Sequence, residues 1–155
     1  MKYKGSIPED AAALLISVGV PEEAVRLALV EEGTDMSIRV TKFFNSGATV
    51  LGRTIYFRES YYDPTTPAGL GLLAHEVMHV KQTKEAGLLF FPKYGIQFLK
   101  LWFQEKQERR RGRSLPQYWV HDEVPFEKEA MEVGRRVELA LVDHPRFGGP
   151  GHTAV

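Results

Sequence analysis

The sequence predicts an α+β fold in which a small antiparallel sheet or hairpin packs on one central helix and a later helix completes its site. Three observations predict it. A helix from Ala68 to Ala86 is bounded by Thr66-Pro67 at its start and Gly87 at its end. A run from Thr49 to Tyr56 is rich in β-branched and aromatic residues. A second helix, opening at Pro125, carries an apolar stripe through Phe126, Ala130, Val133, Val137 and Leu141. The 155 residues, 43% hydrophobic and 26% charged, suit a single domain over residues 1–155.

Taken in order, the N-terminus is basic and precedes an apolar run from Ala11 to Val20, but Pro8, Glu9 and Asp10 break the junction and no small-residue cleavage site follows. The segment therefore reads as a helix with Ser6 as N-cap rather than as a secretory leader. Pro21 opens a second helix, Glu22 to Glu32, stopped by Gly33, so that residues 1–33 form a helical scaffold. From Ser37 the apolar alternation of Ile38, Val40 and Phe43, the turn Asn45-Ser46-Gly47 and the run Thr49 to Tyr56 predict a hairpin. Its last segment, Gly52 to Glu59, reads either as a plain edge strand or as one whose free backbone groups pair with an extended peptide. Thr66 caps the following helix, and the glycine pair Gly69 and Gly71 suits close helix packing.

Composition narrows the chemistry. The formal net charge of zero argues against a general nucleic-acid binder. The absence of cysteine excludes disulfides, thiolate nucleophiles and Cys-type zinc sites, so any metal is held by histidine and carboxylate. With no leader and no membrane span, the expected location is cytoplasmic.

His75 and His79 stand four apart on the central helix, so both imidazoles leave one face and meet one metal ion, here expected to be zinc. Glu76 is turned too far to join them as a ligand but is placed to take a proton from the attacking water. The bland alternative is a surface helix with two unrelated histidines. Leu72, Leu73, Ala74, Val77, Met78 and Val80 around the motif argue for a buried helix, where such groups are costly without a shared partner. A third ligand is required, and no histidine lies between Thr83 and Leu89. Glu127, on the border of the apolar stripe, is preferred over Glu129, which groups with Glu132 and Arg136; His121, His144 and His152 compete.

Between the two helices, Leu88 to Phe103 is dense in Phe, Leu, Ile, Tyr and Trp, with Lys93, Gln97, Lys100 and Gln104 forming a narrow polar strip. It is too short for a span of about 20 apolar residues. It reads as a core helix beneath the zinc helix, or as a helix that meets a membrane surface or protein partner. The basic cluster Glu105 to Arg113 follows, and the tail 145–155 is glycine-rich and expected to be flexible.

Gly52-Arg53-Thr54-Ile55-Tyr56-Phe57, a spacer, and then Leu72-Leu73-Ala74-His75-Glu76-Val77-Met78-His79-Val80-Lys81-Gln82 resemble the core domain associated with extracellular contractile injection systems. More broadly the chain is similar to the gluzincins, the glutamate-type zincins. That resemblance implies a zincin-like fold, a third ligand in a Glu-x-x-Ala setting matched by Glu127 to Ala130, and zinc-dependent peptide hydrolysis with Glu76 as general base. It departs at Met131, where many gluzincins place an aspartate that supports the site. Tyr118 and His121 are the candidate donors to the oxyanion. The alternative function is a catalytically silent zinc-binding assembly or interaction domain, for which a membrane surface is one expected place.

Overall fold

A parallel strand pair sets the architecture of the N-terminal half. The computed structural model describes residues 2–148. In chain order they form β1 (Tyr3–Ser6), α1 (Glu9–Ser17), α2 (Glu22–Leu27), β2 (Leu29–Glu32), α3 (Asp35–Phe44), β3 (Ala48–Leu51), β4 (Thr54–Phe57), α4 (Pro67–Ala86), α5 (Phe90–Arg110), α6 (Trp119–Glu123) and α7 (Pro125–Val142). The sheet order is β1-β2-β4-β3. β2 runs parallel to β4 with Val30 beside Ile55, whereas β1 pairs with β2 and β3 with β4 in antiparallel fashion. The fold is α+β, and its sheet is mixed rather than purely antiparallel.

Parallel pairing requires a crossover of a dozen or so residues, usually helical. Here α3 is that crossover, and this corrects the expected strand from Ser37. Thr34 Oγ1 accepts the Ser37 amide, Asn45 closes the helix in the left-handed region at φ 48°, and Ser37, Val40 and Thr41 form its buried face. The hairpin lies one step later, between β3 and β4, with Gly52 at φ 64° in its turn. Thr49 to Tyr56 is therefore two strands.

The second helix is shorter than expected. It ends at Leu27, and Leu29–Glu32 becomes an inner strand although Glu31 and Glu32 are good helix formers. Both carboxylates are buried and satisfied: Glu31 accepts from Lys4 and Thr34, and Glu32 from the Tyr62 amide. Ser6 ends β1, and Pro8 occupies the cap position of α1 without a side-chain cap.

α4 matches its sequence signals. Thr66 Oγ1 accepts the Gly69 amide, Pro67 opens the helix and Gly87 ends it. Leu70, Leu73, Ala74, Val77 and Val80 are fully buried between the sheet, α1 and α2 on one side and α7 on the other. A helix covered all round presents its polar residues only where another element meets them, which is what makes His75, Glu76 and His79 informative. α7 lies along α4 with Ala130, Val133, Val137 and Leu141 inward.

α5 is not a core helix. Phe90 is its only buried residue, while Phe91, Ile96, Leu99 and Phe103 are each more than half exposed. Residues 145–147 form a short 3-10 turn, with Arg146 paired to Asp10, so the expected tail is structured at its start. His152 and the rest of that tail lie outside the described residues.

Candidate metal centre

α4 and α7 bring His75, His79 and Glu127 to one point. His79 Nε2 is 3.1 Å from His75 Nε2 and 3.2 Å from Glu127 Oε2, and His75 Nε2 is 3.4 Å from the same carboxylate oxygen. Atoms around a tetrahedral ion with bonds of about 2.0–2.1 Å stand about 3.3–3.4 Å apart, so the triangle has the size of one face of such a coordination sphere. The three groups are thus a possible metal-binding triad. Two imidazole nitrogens facing each other at this distance need a hydrogen on one of them or a metal ion between them.

The spacing along each helix explains the convergence. His75 and His79 are one turn apart on α4, and Glu127, in the first turn of α7, points back at both. The helices approach closely because glycine faces glycine: a Cβ on Gly71 would sit 2.8 Å from the Gly134 carbonyl oxygen, and one on Gly134 2.7 Å from that of Gly71. Burial separates the two candidate glutamates, since Glu127 is 5% exposed whereas Glu129 is on the surface.

Charge follows geometry. Burial would push the Glu127 carboxyl up, but hydrogen bonds from His75 and His79 together outweigh it and hold the group well below the usual carboxylate range. His79 is raised for the reciprocal reason, its burial being overcome by Glu127. Glu76 is buried on the same cavity and pushed up, chiefly by that burial and against the nearby His75 and His79.

Beyond the triad, Gln82 fixes the state of His79. Its Nε2 donates to the Phe126 carbonyl oxygen at 3.0 Å and to Glu129 Oε2 at 2.8 Å, so its Oε1 faces His79 Nδ1 at 2.9 Å and accepts a hydrogen bond from it. Nδ1 thus carries hydrogen, and Nε2 is left to the centre of the triangle. Glu129 therefore stands outside the triad, bonded to Gln82. Replacing Gln82 by Met is expected to weaken metal binding about 10–100-fold, as read by competition with a chelator. An unchanged affinity would remove Gln82 from the centre.

The triad opens into a cavity of about 360 Å³ walled by Phe44, Phe90, Phe91 and Tyr94, with Ala48, Thr49 and Val50 of the edge strand β3 along one side. The sheet edge at the cavity is therefore β3; β4, the segment that the sequence places at an edge, is internal. Tyr94 was hidden in a run that reads as packing. Its hydroxyl donates to Glu127 Oε1 at 3.1 Å, and burial followed by the nearby carboxylate keeps it protonated. His121 also lines the cavity, with Nε2 3.5 Å from Glu127 Oε1. Tyr118 is two-thirds exposed and is not among the lining residues, and His144 accepts the Arg146 amide in the C-terminal turn.

Residues 27–87 match the family model of the eCIS core domain. The eCIS core match runs from the end of α2 to the end of α4 and so contains His75, Glu76, His79 and Gln82, while Tyr94, His121 and Glu127 lie beyond it. No curated protein and no solved structure matches the chain.

Proposed function

We propose that the protein is a zinc-dependent peptidase with a zincin-like site, in which His75, His79 and Glu127 hold the metal and Glu76 is the general base. The observation that carries this reading is the convergence of the three ligand atoms beside Glu76, at a cavity bordered by a free strand edge. Two imidazoles and one carboxylate, with no thiolate, form the ligand set of a hydrolytic zinc site and leave a fourth position open. Bound there, zinc would supply Lewis acidity and bring the pKa of its water to about 7.

The chain's own groups do the rest. The backbone of β3 pairs with an extended peptide and lays it across the cavity. Glu76 accepts the proton of the attacking water and returns it to the leaving amine. Tyr94 and His121, on the cavity wall, are the donors available to the carbonyl oxygen as it gains charge.

A second reading, a zinc-held interaction domain without turnover, is favoured by the exposed apolar side of α5. Elemental analysis of the purified protein and of His79→Ala and Glu127→Ala tests the shared premise. Stoichiometric zinc in the wild type and its loss in both variants is expected. Well-folded wild type that takes up no zinc would end both readings. Zinc-dependent cleavage of a peptide library then separates the enzyme from the silent domain.

A further inference from the structure

The outward side of α5 has the form of a lipid-binding helix. Phe90, Tyr94, Gln97, Leu101, Glu105 and Glu108 follow helical spacing and, with Trp102 beside them, are the less exposed positions, so they mark the side turned to the body of the protein. On the opposite side Ile96, Leu99 and Phe103 are each between 51% and 57% exposed. Leu88 and Leu89, immediately before the helix, are 95% and 60% exposed and continue this surface. Such a contiguous apolar face on a folded domain marks a binding surface.

Charge identifies what covers it. From Gly87 to Gln104 there is no acidic residue, and Lys93 and Lys100 lie exposed along one flank of the apolar stripe. Lys106 sits over the Trp102 ring at 3.8 Å, and Arg110 is exposed one turn further on. The only acids between Gly87 and Arg113 are already engaged: Glu105 by Arg109, and Glu108 by Arg111 and Arg113. Seven basic residues thus stand against two acidic ones in a segment of a chain whose net charge is zero. A second copy of the same face would bring like charges together. An anionic bilayer instead takes apolar side chains below its headgroups and lysine and arginine among them.

We propose that α5 docks the protein on an anionic lipid surface, with Leu88, Ile96, Leu99 and Phe103 inserted and Lys93 and Lys100 at the headgroups. Because Phe91 and Tyr94 also wall the metal cavity, docking sets the mouth of that cavity beside the bilayer. The docking surface itself does not depend on a metal or on turnover.

Co-sedimentation of the full chain with vesicles tests this, comparing equal parts phosphatidylglycerol and phosphatidylcholine with phosphatidylcholine alone. The expected result is binding to the anionic vesicles, loss of that binding in Leu99→Glu/Phe103→Glu, and a weakening of about five-fold for each of Lys93→Ala and Lys100→Ala. These side chains are outside the core, and circular dichroism verifies that the variants remain folded. The proposal is overturned by failure to bind anionic vesicles, or by binding that the apolar variant retains. It is equally overturned if the protein self-associates without lipid and Leu99→Glu/Phe103→Glu makes it monomeric, which would make this face a contact between copies.

Discussion

Glu76→Gln is expected to lower peptide hydrolysis about 10²–10⁴-fold, the span typical of losing a general acid–base group. Zinc content should stay at the wild-type level, because Glu76 contributes no atom to the triad. Gln is nearly the same size as Glu, so the packing around this buried residue is kept while the proton acceptor is lost. Steady-state cleavage of a fluorogenic peptide, paired with metal analysis of the same samples, gives both readouts. Equal turnover in the variant and the wild type would show that Glu76 is not the base. Loss of zinc along with activity would show instead that it supports the centre.

The close crossing of α4 and α7 leads to the second large effect. Gly134→Ala gains about 1 kcal/mol of helix propensity, yet overpacking of a tight contact costs about 1–3 kcal/mol. At this position overpacking should win. The new Cβ would lie 2.7 Å from a backbone oxygen and 3.2 Å from the Cβ of His75, and no flexible side chain can yield. A net loss of up to about 2 kcal/mol corresponds to a melting temperature lower by up to about 4–8 °C in a chain of this size. Separating the helices also carries His75 away from Glu127, so metal affinity should fall in the same variant. Gly95→Ala on α5 is the control. Nothing lies within 4 Å of its added methyl group, and it should be stabilising by about 0.5–1 kcal/mol. Thermal unfolding followed by circular dichroism, with and without zinc, measures both. A Gly134→Ala protein as stable as Gly95→Ala would mean that the crossing is loose enough to relax.

The sequence by itself determined α4 and the shared face of its two histidines. Cap, proline start, glycine stop and the His75–His79 interval all lie within one helix, where neighbours in sequence are neighbours in space. The face of α7 was legible for the same reason, and with it the choice of Glu127 over Glu129. Thr34 and Asn45 cap α3 in the structure, whereas in the sequence the alternation of Ile38, Val40 and Phe43 reads as a strand. A stretch of ten residues can satisfy both patterns, and the parallel β2–β4 pairing settled the contest in favour of the helix. Leu29–Glu32 went the other way: helix-forming glutamates were drawn into an inner strand because Lys4, Thr34 and Tyr62 satisfy them there.

Only the tertiary structure decided the roles of Gln82, Tyr94 and Glu129. Each acts through a partner more than thirty positions away, Gln82 on Phe126 and Glu129 and Tyr94 on Glu127, and no local period encodes such a pairing. Exposure of α5 was undecided for a related reason. An apolar helix has the same composition whether it is buried by its own chain or left for a partner, and only the packing of the other elements shows which surface remained uncovered.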